Sequence, residues 1–378
     1  MTAGRFVIIG NPENRRVSLF RAALARQGQP EPEVIAWRAL AEGPLAVESA
    51  LDALPEEPAF VRIDSSGESF EVDRLLLARG FEDARMLGAW AVSPDEVRVL
   101  AYDRGRILAP RQQHCGFLRV LGELERALAK RPWLHRTNAP ESIARLFDKR
   151  ACAVAFARAG VPTPEALANV ATPSELRARM NEAGMSRVFV KLSCGSSASC
   201  LALYDAERPW LFTSMEIEGD RLYNSLTPRR YADAAAIDRL LAFLLREGSH
   251  VEAAVPKARI GAHFFDTRML VIAGEVAFTV MRKSRHPITN LHLGGSRGTE
   301  SELASVVPEA VLAAAHESCR TVFGLHDCLH VGVDVMFTAD RGGHRILEAN
   351  AFGDLLPNLQ RDGLDVYEWQ IRRALSEE

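Results

Sequence analysis

An α/β fold is predicted, with an open and mostly parallel sheet first and two strand-rich lobes behind it. Three observations predict it. Strand-like runs alternate with helical apolar spacing over the first hundred residues. Arg131-Pro-Trp133 and Asn138-Ala-Pro140 then punctuate the chain. From Val251 onward, short β-branched runs separated by turn residues dominate. A chain of 378 residues suggests two or three structural units, and we expect them at 1–135, 136–250 and 251–378.

In the first unit, Arg5–Gly10, Val34–Trp37 and Ala59–Ile63 read as strands. Val17–Gln27 and Phe70–Arg79 have helical spacing, the second expected to stop at Gly80. A helix is expected from about Cys115 to Ala129. In the second, Asp148 can cap a helix that ends at Gly160 before Pro162. A helix over Ser174–Ala183, a strand over Arg187–Leu192 and a small-residue loop over Ser193–Ser199 follow, then strands at Leu201–Tyr204 and Leu211–Glu216 and a helix over Ala232–Glu247. The third unit offers strands at Val251–Val255, Phe265–Ile272, Val276–Arg282, His330–Phe337 and His344–Ala349, and a closing helix over Leu364–Leu375.

Composition excludes several classes. The chain is 47% hydrophobic and 25% charged with a formal net charge of −3, so it lacks the basic footprint of a nucleic-acid binder. No apolar run approaches the roughly 20 residues that span a bilayer, and Phe6–Ile9 is too short for a signal-peptide core. A cytoplasmic protein is expected, with no nucleic-acid or membrane partner; self-association into a homo-oligomer is left open. The cysteines at 115, 152, 194, 200, 319 and 328 form no C-x-x-C pair or zinc spacing. Lysine occurs only at 130, 149, 191, 257 and 283 in an arginine-rich chain, so each lysine carries more information than usual.

The most informative stretch is His330–Thr338, an Ala-Asp-Arg-Gly-Gly turn, and His344–Asn350. It reads as a β-hairpin. Pairing symmetric about Arg341 sets Asp334 opposite Glu348, with Asn350 on the same face. Opposed carboxylates among Val331, Val333, Val335, Ile346 and Leu347 repel unless neutralised, and Mg²⁺ suits such oxygen donors; a solvated face with two chance acids is the other reading. A second hairpin, Asp266–Ile272 and Val276–Arg282, makes Arg268 and Arg282 rough cross-strand neighbours. Two guanidiniums in an apolar sheet call for an anion, either a ligand or an acid such as Asp266.

Taken in order, Leu146-Phe-Asp-Lys149, Ala159–Pro164, Val188-Phe-Val-Lys191, Val251-Glu252, Asp266-Thr-Arg268, Met281-Arg282, Asn290–Gly295, Gly332-Val-Asp334 and Leu347-Glu-Ala-Asn350 resemble the ATP-grasp superfamily. The similarity is greatest to its branch with the ribosomal-protein glutamate ligases and covers roughly 138–360. The resemblance implies an N-terminal open α/β domain before two β-rich lobes that sandwich ATP. It implies that Lys149 and Lys191 contact phosphates, acting on nucleotide and not on folding. Ser193, Gly195 and Ser196 would fold over the phosphates, with Glu252 at the hinge to adenine and ribose and Asp266 beside it. Arg268, Arg282 and Asn290 would be the catalytic residues near the γ-phosphate and acyl group. Asp334, Glu348 and Asn350 would bind Mg²⁺, with Mn²⁺ as a substitute.

The implied activity is an ATP-dependent ligase. A substrate carboxylate takes the γ-phosphate to give an acyl phosphate and ADP, and an amine then displaces phosphate. The substrates would be small molecules or peptides. A small-molecule kinase on the same scaffold and a non-catalytic nucleotide-binding protein are the alternatives. Three departures stand out: a single glycine in the 193–198 loop, a longer 252–266 segment, and a Lys283–Thr289 stretch that matches no substrate-specific pattern. Arg285 is a candidate for a substrate carboxylate. Asn11 and the Asp64–Gly67 loop, at strand ends of the first sheet, are candidate substrate contacts.

Overall fold

A computed structural model describes residues 4–168, 170–195 and 199–376. The first sheet consists of β1 (Phe6–Gly10), β2 (Glu33–Ala36), β3 (Ala59–Ile63) and β4 (Leu134–Arg136) in the order β2-β1-β3-β4, all parallel. The central strand β1 is apolar throughout and buried at every residue because both its faces are covered. Val7, Ile9 and Val61 face helices on one side. Phe6 and Ile8 face the closing helix Val366–Ala374 on the other. Gly80 does not end its helix, which runs from Phe70 to Met86. It is a contact glycine: a Cβ there would lie 1.8 Å from the Gln112 carbonyl of the helix Pro110–Leu128, so the two helices cross with backbones touching.

The second sheet contains β5 (Ala166–Leu167), β6 (Arg187–Leu192), β7 (Leu201–Asp205), β8 (Trp210–Glu218), β9 (Arg221–Tyr231) and β10 (Ser249–Ala253), ordered β5-β10-β6-β7-β8-β9. The division expected at 250 falls inside β10, which pairs antiparallel with β6. The expected strands recur within a residue or two, but β9 was not foreseen. It is the edge strand, and Pro228 and alternating polar residues are what an edge tolerates and a central strand does not. Helices Pro173–Glu182 and Ala234–Arg246 cover one face and share a core with Val188, Val190, Ala202 and Leu211.

The third sheet contains β11 (Arg259–Ile260), β12 (His263–Ile272), β13 (Glu275–Ser284), β14 (Ser296–Gly298), β15 (His330–Phe337) and β16 (His344–Asn350), ordered β14-β13-β12-β15-β16 with β11 on β12. Both expected hairpins form. Ala273 and Gly274 take φ of 48° and 78°, the left-handed pair of a two-residue hairpin turn, and Arg341 takes φ of 59°. Leu270, Ile272 and Phe278 pack with Phe6 and Ile8, so the first and third sheets share one core. The second sheet keeps its own.

Candidate active site

A cavity of about 430 Å³ opens between the second and third sheets. One end is apolar, walled by Phe189, Leu201 and Leu203 on the second sheet and Phe264, Met336 and Leu347 on the third. The segment Ala253–Lys257, leaving β10, closes the side. Period-2 alternation brings Asp334 and Met336 to the same face of β15. On β16 a bulge does more: Asp334 pairs Glu348 but Val335 pairs Ile346, so Leu347 is the extra residue. Consecutive Leu347 and Glu348 therefore both line the cavity, one at each chemical end.

The other end is charged. Lys149, at the start of a helix capped by Asp148, has its ammonium 3.3 Å from Glu348 and donates to the Gly195 carbonyl. Lys191, on β6, is paired with Glu252 diagonally across the β6–β10 ladder, where Lys191 faces His250 and Glu252 faces Phe189. Glu252 also meets His250 at 3.1 Å. Burial would push the Glu252 carboxyl up, but Lys191 and His250 outweigh it and hold it down at about 2. Burial likewise opposes the charge on Lys191, and Glu252, Glu348 and Asp334 hold its pKa above the usual value.

Deeper in, acids and bases alternate. Asp266 accepts from Arg282 Nε at 2.7 Å and from Lys257 at 3.1 Å, and Thr289 donates to the same carboxylate. Arg282 reaches on to Asp334 at 3.2 Å. Asp334 takes both Nε and Nη2 of Arg268, at 2.5 and 3.1 Å. Burial raises the Asp334 carboxyl, but Arg268 and Arg282 dominate and set it well below the ordinary carboxylate range. Asn350 Nδ2 lies 3.4 Å from Glu348 and 3.5 Å from the Gly332 carbonyl.

The expected residues thus fall into three groups. Lys149, Lys191, Gly195, Glu252, Asp266, Arg282, Asn290, Asp334 and Glu348 line the cavity. Arg268, Ser193 and Asn350 stand behind its wall: Arg268 clamps Asp334 and reaches the Gly353 carbonyl at 3.3 Å, and Ser193 Oγ donates to Asp148 at 2.9 Å. Ser196 lies outside the described residues.

Two expectations need correction. Arg268 and Arg282 are diagonal across the strands and not directly opposed: Arg282 faces Asp266, and Arg268 faces Val280 on one side and Asp334 on the other. A register shift between Leu270 and Val271 accompanies this. The anion between the guanidiniums is therefore Asp334 itself. The opposed carboxylates are not left repelling one another either, because each already has a cation, Arg268 and Arg282 on Asp334 and Lys149 on Glu348.

No protein-family model matches the chain, and no curated protein matches it. Solved structures do. D-cycloserine synthetase DcsG aligns over 98% of this chain and 100% of its own, with a TM-score of 0.56 at 15% identity. A RiPP-associated ATP-grasp ligase from Chryseobacterium gregarium, in complex with ADP and a leader and core peptide, aligns over 99% and 97% with a TM-score of 0.55 at 13% identity. The ATP-grasp ligase PsnB, with a phosphomimetic variant of its minimal precursor, Mg and ADP, aligns over 99% and 98% with a TM-score of 0.53 at 14% identity. The chain has the ATP-grasp fold. The likeness reaches from end to end, so the N-terminal sheet is part of it as well as the 138–360 region that carries the motifs.

Within this ATP-grasp fold, sequence reasoning missed Lys257 and Thr289, which complete the shell of Asp266, and His250, which shares Glu252. Lys257 was visible as one of five lysines, but nothing in the sequence joined it to Asp266 across the long 252–266 segment. That length is now accounted for by β11, which folds back on β12. Asn11 and Asp64 stay out of the cavity. Asn11 donates to the Ser66 and Gly67 carbonyls at 3.0 and 2.9 Å, and Asp64 pairs with buried Arg62 at 2.8 Å. His286 rests against Phe212 with ring centroids 5.3 Å apart. Burial pushes the Cys194 thiol up to about 11, which favours the neutral thiol.

The donor chemistry fits a hard cation. Asp334 and Glu348 face each other with the Asn350 amide beside them. Among the described residues no group of three or more His, Cys, Asp or Glu could hold a metal ion. The chain would therefore supply one or two carboxylates and leave the remaining positions to water and phosphate oxygens, the usual pattern for Mg²⁺.

Proposed function

We propose that the chain is an ATP-dependent ligase that joins a carboxylate to an amine through an acyl phosphate and releases ADP and phosphate. The observation that carries this reading is the cavity itself, apolar at one end and lined by Lys149, Lys191, Arg282, Asp334 and Glu348 at the other. The apolar end suits a purine between Phe189 and Leu203 above and Met336 and Leu347 below, with the backbone of Ala253–Lys257 beside its edge. The charged end suits a triphosphate. Asp334, Glu348 and Asn350 would hold Mg²⁺, which supplies charge neutralisation of the phosphates when bound.

In the first step Lys149, Lys191 and Arg282 offset charge on the transferring phosphoryl group, and Arg268 acts from behind by orienting Asp334. The substrate carboxylate oxygen bonds to the γ-phosphorus as the bond to the β-phosphate oxygen breaks. In the second, the amine nitrogen bonds to the acyl carbon, the carbon–oxygen bond to phosphate breaks, phosphate leaves with the electron pair, and the nitrogen releases its proton to solvent. Arg282 and Asn290 are the residues we place nearest the acyl group. No protein nucleophile is required. The solved neighbours support a carboxylate on a peptide or a small molecule: one is a D-cycloserine synthetase, and another was solved with a leader and core peptide. The cytoplasm, where ATP is available, is the compartment we assign.

The test uses hydroxylamine as a surrogate amine. With Mg-ATP and a panel of carboxylates, an acyl phosphate is trapped as a hydroxamate with one ADP per product. Phosphate retained on a stable product, with no hydroxamate, would mean a kinase. Absence of any Mg-ATP-dependent rise in melting temperature, in protein shown to be folded, would remove the nucleotide reading itself.

A further inference from the structure

A second cavity, of about 250 Å³, lies between the helix Phe70–Met86, the segment 100–110 and the residues leading into β7. It is built by a strand-like contact between the first domain and the edge of the second sheet. Asn224 N on β9 donates to the Gly105 carbonyl at 2.7 Å, and Ile107 N donates to the Leu222 carbonyl at 2.8 Å. The Asn224 side chain accepts from Ser199 Oγ at 3.0 Å and Cys200 N at 3.3 Å, fixing the inner wall. Ser199 also lines the first cavity, so the two share a wall at the end of the loop that follows Lys191.

The walls are mixed, and their apolar side is formed by Leu77, Leu100, Leu108 and the ring of Phe70, which meets Tyr102 edge-on at 5.4 Å between centroids. Three charged side chains face the space. Asp103 is already used, by Tyr223 at 2.8 Å and Arg221 at 3.3 Å. Asp73 has only the Gln113 amide, and among the described residues neither Asp73 nor Arg106 is in an ion pair, with each other or with anything else. Burial raises the Asp73 carboxyl to about 6, and the Gln113 amide draws it back only in part. An acid and a base that share one small cavity with an apolar side, without pairing, are suited to a ligand that carries both opposite charges and an apolar body.

We propose that this cavity binds a free α-amino acid with an apolar side chain, its ammonium on Asp73, its carboxylate on Arg106 and its side chain against Phe70, Leu77 and Leu100. Its volume lies below the range of drug-sized pockets, which suits so small a ligand. The further statement that this amino acid is the amine substrate rests on the ligase reading and on the wall shared at Ser199. The binding itself does not rest on that reading.

The experiment is calorimetric titration of the full chain with leucine and with phenylalanine, without nucleotide. N-acetyl-leucine, which lacks the ammonium, and leucine amide, which lacks the carboxylate, serve as comparisons. Saturable binding of leucine or phenylalanine is expected, with none of N-acetyl-leucine. Asp73→Asn, which keeps an oxygen for Gln113, should weaken binding by about tenfold or more, the loss of one charge-assisted hydrogen bond. Arg106→Gln should do the same for leucine and nothing for leucine amide. Mg-ATP binding is measured on each variant and should be unchanged. No amino acid binding at millimolar concentration, or equal binding by wild type and both variants, overturns the proposal whether or not Mg-ATP binds. Amino-acid binding that depends on Asp73 and Arg106 upholds it even if no amide product forms, an outcome that would count only against the ligase reading.

Discussion

Arg268 and Asp334 face each other across β12 and β15, and both carboxylate oxygens of Asp334 accept from that one guanidinium, at 2.5 and 3.1 Å. The pair is largely buried, so its two halves are unequal to either alone. Arg268→Met would leave Asp334 with Arg282 as its remaining cation, and a buried carboxylate short of a partner costs about 3 kcal/mol. We expect that loss in urea unfolding of the nucleotide-free protein, and recovery of most of it in Arg268→Met with Asp334→Asn. An Arg268→Met protein as stable as wild type would mean that the arginine serves ligand alone.

Glu348 is the more exposed of the two opposed acids and has the weaker hold, Lys149 at 3.3 Å and the Asn350 amide at 3.4 Å. Glu348→Gln removes one charge at nearly constant shape. The melting temperature without nucleotide should stay within about 2 °C, because partly exposed ion pairs contribute little. The Mg²⁺-dependent affinity for ATP should fall tenfold or more, and turnover with it. Full activity in Glu348→Gln would remove the metal assignment.

The opposition of Asp334 and Glu348 could be read from sequence because pairing taken symmetrically about Arg341 sets those two residues level. The bulge at Leu347 could not: it lies between the turn and the Asp334–Glu348 pair, and the pairs from Phe337–His344 to Val335–Ile346 run one residue off the register that Asp334, Val333 and Gly332 follow. Arg282 lies two residues along from the position opposite Arg268, facing Asp266, and because side chains alternate with period 2 it stays on the same face as Arg268. The parallel first sheet followed from strand–helix alternation. Gly80 read as a stop because its role depends on Gly116, on another helix. Lys257 and Asp266 meet only through the fold-back of β11, which no local pattern announces.

The pairing of Lys191 with Glu252 changes what a lysine substitution reports. Had Lys191 served phosphate alone, Lys191→Met would leave the nucleotide-free protein as stable as before. Glu252 is buried and would keep only His250, so a loss of about 3 kcal/mol is expected. Lys191→Met with Glu252→Gln removes both charges and should restore most of that stability. It should not restore ATP affinity if the ammonium is a phosphate ligand. Thermal melts and nucleotide titrations on the single and double variants separate the roles, and recovered affinity in the double variant would show that Lys191 is structural only.

His330, at the start of β15, is buried in the contact between the first and third sheets, 3.5 Å from Asp354. Burial lowers its pKa from 6.5 to about 4, Asp354 opposing this in part and Arg62 and Arg16 adding to it. The unfolded chain therefore takes up this proton at a higher pH than the folded one. Between pH 6.5 and 4 the unfolded state binds more protons, so stability falls as pH falls through that window and is fully present above it. One histidine shifted this far contributes on the order of 3 kcal/mol. Burial also lowers His114 and His326 to about 4, so the slopes add. We expect the melting temperature to drop steadily from pH 7 to pH 4.5. His330→Asn removes the titrating group while the Arg62–Asp354 ion pair remains, so its decline over the same range should be shallower than that of the wild type. Parallel curves for the two proteins would mean that His330 takes up its proton equally in the folded and unfolded states and that the acid sensitivity arises elsewhere.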